Sequence, residues 1–231
     1  MCAPGAWNGR PCFALRSLRG QGFSRGQSLE IVLATRNRKK VEEFGRILAQ
    51  SGLTLRSLDE FPDCPDVVED QETFEGNAVK KARIVAAHTG LAAVADDSGL
   101  EVDALGGAPG VFSARWAGPG ADDRKNREKL LAELRGVPGG RRAARFVCCI
   151  ALAFPDGRAE TFFGRVEGRI GEEPRGENGF GYDPVFYPVG RARTFAEMAG
   201  EEKDALSHRG RALRLLKSHL AGMVGSPARS R

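Results

Sequence analysis

Two adjacent carboxylates, Asp96 and Asp97, follow the apolar run 91–95 and precede Ser98 and Gly99. Beside an apolar strand such a pair repels itself and loses hydration unless a cation compensates it. Mg²⁺ suits the pair, because it needs only one or two protein carboxylates and completes its coordination with water and phosphate. Neighbouring strand residues point to opposite faces, so we expect the two acids to have different roles. A simple capped turn at Ser98 and Gly99 is the alternative.

A basic segment lies between the apolar run 31–34 and an amphipathic stretch. Residues 35–40 have the sequence Thr-Arg-Asn-Arg-Lys-Lys, and apolar residues then recur at helical spacing over 41–48. A hydroxyl, an amide and two lysines at a helix N terminus are suited to a polyphosphate. The alternative is an ordinary solvated loop.

A glycine-rich segment, 176–184, carries two aromatic side chains, Phe180 and Tyr182. Its glycines let a flat ligand approach, so a nucleobase could stack there. Hydrogen-bond donors follow toward the C terminus: Lys203, His208 and Arg209. The alternative explanation is that Phe180 belongs to the core and that the cations lie on solvated helix faces.

Strands and helices must position these groups. The predicted strands are residues 31–34, 53–55, 91–95, 143–154 and 158–168. The predicted helices cover residues 41–48, 73–89, 122–136 and 207–220, with Asp122 and Ser207 as N-caps. Pro155, Asp156 and Gly157 predict a hairpin between the last two strands, and the acidic stretch 58–72 predicts a loop. Parallel units followed by a hairpin predict an α/β fold with a mixed sheet flanked by helices.

Several enzyme classes lose support because their motifs are absent. The chain has no GxxxxGK, HExxH or GxSxG motif and only three histidines. This argues against a phosphate-loop kinase, a zinc protease and a serine hydrolase.

The net charge of +5 over 231 residues suggests a nucleic-acid-binding protein, the competing function class. Six arginines, however, lie in the acid-free ends 1–29 and 221–231. Between residues 30 and 220 there are 29 basic and 30 acidic residues, a net charge of −1. We therefore expect no nucleic-acid partner. The predicted domain is 30–220, with a disordered or non-core extension at 1–29 and a flexible tail at 221–231.

Five cysteines with no CxxC spacing support neither a disulfide framework nor a zinc ribbon, so a reducing cytoplasm is expected. No apolar run approaches the roughly 20 residues of a membrane helix, so no membrane partner is expected.

The order of these motifs resembles the inosine and xanthosine triphosphate pyrophosphatase family. The similar segments are residues 34–40, 73–83, 95–100, 106–115, 179–184 and 207–210. The resemblance implies an elongated two-lobed α/β structure with the active site in a cleft between the lobes, and a homodimer. One departure is Arg36, where the family often has glycine; it would either narrow the loop or add a phosphate contact.

The resemblance also implies residue roles. Asp97 and Asp96 are the predicted catalytic residues, with Asp97 as proton acceptor for the attacking water. Asp97 and Glu69 are the predicted Mg²⁺ ligands, with Asp70 and Glu72 as rivals for Glu69. The predicted substrate-binding residues are Thr35, Arg36, Asn37, Arg38, Lys39, Lys40, Lys81, Ser98, Phe180, Gly181, Tyr182, Asp183, Lys203, His208 and Arg209.

The implied reaction is Mg²⁺-dependent hydrolysis of inosine, deoxyinosine or xanthosine triphosphate (ITP, dITP, XTP) to the monophosphate and pyrophosphate. It would remove deaminated purines from the nucleotide pool. An alternative is a related pyrophosphatase that acts on modified pyrimidines or on the standard triphosphates.

Overall fold

A computed structural model describes residues 29–49 and 52–225. The predictions for residues 1–28 and 226–231 lie outside this part of the chain. The described strands form one six-stranded sheet in the order β2-β1-β3-β4-β5-β6. Their bounds are Leu29–Leu33 (β1), Leu53–Ser57 (β2), Ala92–Val102 (β3), Ala143–Ala153 (β4), Ala159–Ile170 (β5) and Phe186–Pro188 (β6). β1 pairs in parallel with β2 and β3, whereas the β3–β4, β4–β5 and β5–β6 pairs are antiparallel. The predicted α/β fold with a mixed sheet is confirmed.

Helices cover both faces of the sheet. Their bounds are Arg38–Leu48 (α1), Phe74–Thr89 (α2), Asp123–Glu133 (α3), Gly200–Leu206 (α4) and His208–Gly225 (α5). Alternation along β3 sends Ala92 and Val94 into a core with α1 and α5, and Ala93 and Ala95 into a core with α2. No helix in the described ranges has the length and apolar character needed to cross a bilayer.

A third core lies where the long strands extend beyond β1. It contains Leu100 of β3, Leu130 of α3 and Phe186 of β6, all fully buried. The division into two lobes stays a prediction.

Local sequence signals set most element ends. Asp122 accepts a hydrogen bond from Lys125 N at 2.8 Å, and Ser207 accepts one from Gly210 N at 3.0 Å, so both predicted N-caps are confirmed. The hairpin at 155–157 is also confirmed, because β5 pairs with β4 along the full length of β4. The sequence analysis missed α4 and β6. α5 continues to Gly225, so residues 221–225 of the predicted tail are helical.

The predicted strand end at Asp96 and Asp97 is wrong. β3 continues through both residues to Val102 and stays paired with β4, while its parallel pairing with β1 ends at Val94. The pair therefore lies beyond the end of the parallel neighbour. Gly99 is not a turn residue; a Cβ there would lie 2.5 Å from Gly110 O, so glycine permits a close backbone approach.

Gly164 of β5 sets how closely α5 packs on the sheet. A Cβ at this position would lie 1.9 Å from His208 O and 2.7 Å from Ala212 N. We expect Gly164→Ala to lower the free energy of unfolding by about 3 kcal/mol, because backbone must move. Gly45→Ala is the control: α1 leaves open space there, and a gain of about 0.5–1 kcal/mol is expected. Urea unfolding measures both, and equal stability of the two variants would contradict the packing argument.

Candidate active site

A cavity of about 360 Å³ opens beyond the end of β1, beside the continuing strand β3. The predicted site residues line it, except Arg38, Lys39 and Asp96. Arg38 and Lys39 are exposed on the first turn of α1, whereas Asp96 is buried behind the cavity wall. The tertiary structure thus brings together five segments that are distant in sequence: residues 35–40, 69–81, 97–98, 180–183 and 203–209.

One end of the cavity is built on the start of α1. Asn37 is the N-cap, and its Oδ1 accepts hydrogen bonds from Lys39 N at 3.0 Å and Lys40 N at 3.3 Å. The Asn37 amide group keeps its N–H donors for a ligand. The Lys40 ammonium also lines this end, and it forms an ion pair with Asp96.

Arg36 reaches away from the N-cap toward the acidic loop. Its guanidinium pairs with Asp66 and donates to Cys64 O at 3.4 Å. Both Arg36 and Asp66 line the cavity. The side chain therefore joins the β1–α1 loop to the acidic loop at the cavity.

Asp97 carries an unsatisfied oxygen at the cavity wall. Its Oδ2 is buried and has no hydrogen-bond partner among the described residues. The Lys81 ammonium lies 3.7 Å from Oδ1. Burial raises the pKa of Asp97 to about 6; Lys81 opposes this shift and the negative charge of Glu69 adds to it.

Glu69 lies beside Asp97 because Lys81 holds it there. Lys81 Nζ is 2.7 Å from Glu69 Oε1, and Arg115 donates to Glu69 O at 2.9 Å. The two rival acids point elsewhere: Asp70 pairs with Lys80 at 2.6 Å, and Glu72 does not line this cavity.

These two carboxylates fit a magnesium ion. The buried, unpartnered Asp97 oxygen and the adjacent Glu69 carboxylate are hard oxygen ligands. No group of three or more His, Cys, Asp or Glu side chains is placed to bind an ion within the described residues. Mg²⁺ needs no more than two protein carboxylates when phosphate and water supply its other ligands.

Asp96 belongs to a buried charge network on the opposite face of β3. Arg209 Nε is 3.0 Å from Asp96 Oδ2, and Cys148 Sγ donates to the same oxygen at 3.0 Å. Burial opposes ionisation, but Arg209 and Lys40 hold the pKa of Asp96 well below its usual range. The prediction that the two neighbouring acids face different sides is confirmed.

The network continues through Glu43 to the aromatic loop. Glu43 binds the guanidinium of Arg209 on one side and Lys203 Nζ, at 2.7 Å, on the other. Lys203 Nζ also contacts Asp183 Oδ2 at 2.6 Å. Burial alone would raise the pKa of Glu43, but Arg209 and Lys203 hold it below its usual value. Each buried charge therefore has an opposite charge beside it.

The other end of the cavity is aromatic. The Phe180 ring centroid lies 4.8 Å from Lys203 Nζ and 5.5 Å from the Arg209 guanidinium carbon. His208 stacks on Phe146 with ring centroids 4.7 Å apart and an interplanar angle of 8°. Burial and the nearby cations lower the pKa of His208 well below its usual range, so its imidazole is neutral.

Two polar groups remain for a ligand at this end. His208 Nδ1 is buried without a hydrogen-bond partner among the described residues. Hydrogen bonds from Arg209 to Asp96, Glu43 and Ser98 use four of its five N–H groups, which leaves one on Nη1.

Comparisons with known proteins show the family to which the chain belongs. The sequence model of the Ham1 family matches residues 31–219. The chain belongs to the Ham1 family. It is 54% identical over 190 residues to a Geobacter sulfurreducens protein named dITP/XTP pyrophosphatase, covering 82% of this chain and 96% of the relative.

Solved structures of Ham1 relatives have the same fold. The structure of a HAM1 protein from Coxiella burnetii matches with a TM-score of 0.77 and 45% identity, covering 84% of this chain and 99% of that one. A nucleoside-triphosphatase, also named dITP/XTP pyrophosphatase, from Mycobacterium abscessus matches with a TM-score of 0.68 and 52% identity. That match covers 81% of this chain and 98% of the relative.

The sequence analysis of this Ham1-family chain missed Glu43, Phe146 and Cys148 as components of the site. Only Glu43 carried a local signal: it lies three residues after Lys40, on the side of α1 that also carries the buried Phe44. A carboxylate on the apolar side of a helix indicates a buried partner. Phe146 and Cys148 lie in an apolar strand and look like ordinary core residues.

Glu43 can be tested against its exposed neighbour Glu42. We expect Glu43→Gln to lower the free energy of unfolding by about 3 kcal/mol, because Lys203 and Arg209 then share one fewer buried counter-charge. Glu42→Gln should change it by less than about 0.5 kcal/mol. Urea unfolding at neutral pH measures both. A Glu43→Gln variant as stable as Glu42→Gln would contradict the network's contribution.

Proposed function

We propose that this Ham1-family chain is a Mg²⁺-dependent pyrophosphatase that hydrolyses ITP, dITP and XTP to the monophosphate and pyrophosphate. The observation that carries the proposal is a single cavity with two chemically different ends. One end offers lysines and the unpartnered Asp97 oxygen, and the other offers Phe180 and the neutral His208. The relatives named dITP/XTP pyrophosphatase support the same substrate class.

The α1 end binds the triphosphate in this proposal. Lys40 and the Asn37 amide face the cavity beside the N terminus of α1, where the helix dipole favours anions. Thr35 adds a hydroxyl. Of the six predicted loop residues, Arg38 and Lys39 are assigned no phosphate contact, because their side chains lie outside the cavity.

Asp97 orients the attacking water and accepts its proton. Its buried Oδ2 has no hydrogen-bond partner among the described residues, so this oxygen can accept a proton, as general-base catalysis requires. Mg²⁺ held by Asp97 and Glu69 would supply positive charge to the phosphate oxygens. Lys81, between these two carboxylates, adds a fixed cation at the same place. Asp96 acts through Arg209 and Lys40, so we assign it a positioning role in place of a direct catalytic one.

The aromatic end selects the base. Phe180 offers a face for stacking, and the remaining Arg209 N–H donates to a carbonyl at purine position 6. Adenine carries an amino donor there, which would leave the Arg209 N–H unpaired in a buried site. Inosine and xanthosine triphosphates present the carbonyl. A modified pyrimidine would stack over a smaller area of Phe180, so the purine assignment is preferred.

The cellular setting follows from chemistry and charge. Cys64, Cys148 and Cys149 are buried free thiols, which supports a reducing cytoplasm. The acidic loop beside the cavity mouth repels nucleic-acid backbones, which supports a free nucleotide as partner.

Phe112 and Phe163, about half exposed beside one apolar recess, support the homodimer that the resemblance implies. We expect light scattering to give a molar mass in solution that is twice the mass of one chain.

A panel of nucleoside triphosphates with Mg²⁺ tests the function directly. Pyrophosphate is the expected first product from ITP, dITP and XTP. Turnover of these substrates should be at least about a hundredfold faster than that of ATP, because the adenine amino group would leave the buried Arg209 N–H unpaired. Orthophosphate as first product would overturn the reaction assignment.

Asp97→Asn should lower kcat by at least about a hundredfold while leaving the unfolding midpoint near that of the wild type. Retained turnover would remove Asp97 from the mechanism.

Glu69 and Asp70 separate the metal assignment. Glu69→Gln should raise the Mg²⁺ concentration for half-maximal activity at least about tenfold, because one of two protein ligands is lost. Asp70→Asn removes an equal charge one residue away and should leave that concentration within about twofold of the wild-type value. Titration of activity against Mg²⁺ measures both. Equal shifts would indicate a general charge effect and contradict the assignment of Glu69 as ligand.

A further inference from the structure

The loop that presents Phe180 is tied down on both sides of its ring. Phe180 N donates to Asp183 Oδ2 at 2.9 Å. The next residue, Gly181, donates through its N–H to Asp123 Oδ2 at 2.7 Å and accepts at its carbonyl from Arg127 Nη1 at 2.8 Å. Both polar groups of Gly181 are therefore held by charged side chains of α3.

Asp123 and Arg127 are four residues apart on α3, so they project from the same face of the helix. We call this pair and its two hydrogen bonds the Gly181 clasp. Charge-assisted hydrogen bonds are stronger and more directional than neutral ones. The clasp therefore fixes the orientation of the two peptide groups that follow Phe180, the 180–181 and the 181–182 peptide.

Helix α3 is a rigid base for the clasp. Leu130, in the C-terminal half of the helix, is fully buried in the third core. Asn126 is buried as well, and its side chain accepts from Ala117 N at 2.8 Å and donates to Ala114 O at 3.1 Å. A helix anchored by a core leucine and a satisfied buried amide transmits its position to the groups on its exposed face.

We infer that Asp123 and Arg127 are positioning residues for base recognition: by clasping Gly181 they set the height and tilt of the Phe180 ring over the nucleobase. This inference rests on the proposed function. The clasp lies at the aromatic end, whereas the phosphate-binding groups belong to the β1–α1 loop and α2. Loss of the clasp should therefore weaken binding of the base and leave binding of the phosphates unchanged.

The test compares a substrate with a base and a ligand without one. We expect Asp123→Ala and Arg127→Ala each to raise KM for ITP about fivefold, since part of a base–aromatic stack is lost. The kcat value should stay within about twofold. The inhibition constant of inorganic tripolyphosphate, which has phosphates and no base, should not change.

Two further variants separate positioning from general damage to the helix. Asp123→Asn keeps an acceptor oxygen for Gly181 N and should restore KM to within about twofold of the wild-type value. Arg124→Ala, on the same helix, removes a side chain that pairs with Glu128 on the surface and should leave KM unchanged. In the double variant Asp123→Ala/Arg127→Ala, KM should rise by less than the product of the single effects, because both bonds hold one residue.

Each outcome decides a different point. A matching rise in the tripolyphosphate inhibition constant would mean that the whole cavity is disturbed and would overturn the clasp. Unchanged KM in both alanine variants would also overturn it while leaving the proposed function intact. A wild-type chain that hydrolyses no purine triphosphate would overturn the proposed function and, with it, the clasp.

Discussion

The buried ion pair between Arg209 and Asp96 is the interaction on which the site depends. Their side chains are 2% and 0% exposed, so the cost of removing both charges from water is several kcal/mol per ion. Arg209 offsets this cost because it faces two carboxylates, Asp96 from β3 and Glu43 from α1. The pair thereby joins α5 to the sheet and to α1.

The two faces of β3 carry buried charged groups in different environments. On the face of Asp96 every buried charge has a close opposite charge, and the cations beside Asp96 and Glu43 lower the pKa values of these two carboxylates. On the face of Asp97 one buried oxygen has no partner among the described residues, and burial holds the pKa near 6. A neutralised network can hold side chains in place, whereas an incompletely satisfied carboxylate has capacity left for a ligand or a proton.

The change from parallel to antiparallel pairing creates the space that the cavity occupies. β1 ends at Leu33 while β3 continues to Val102 against β4. Ligands of open α/β sheets bind where a neighbouring strand stops and the loops diverge. Here the segment after β1 supplies the proposed phosphate-binding groups, and β3 supplies the carboxylate of Asp97. The third core, built on the extended part of the sheet, carries the aromatic loop and α3 to the opposite side of the cavity.

Local sequence patterns were sufficient for much of the fold and part of the site. Apolar periodicity and the caps Asp122 and Ser207 predicted the principal helices, and alternation along a strand predicted that Asp96 and Asp97 face opposite sides. These features depend on residues close in sequence, so the sequence itself contains their causes.

Only the tertiary structure decided three further features. They are the continuation of β3, the pairing of Glu43 with Lys203 across 160 residues and the contacts of α3 with Gly181. A serine followed by a glycine, as at Ser98 and Gly99, is typical of a turn. The same pair also occurs in a strand where the glycine lets a neighbouring backbone approach closely, so the sequence does not distinguish the two. The role of the buried Glu43 carboxylate on α1 is evident only when the tertiary structure places Lys203 and Arg209 beside it. Long-range packing determines which charges lose their water, and that determines which of two adjacent aspartates supports the structure and which retains capacity for chemistry.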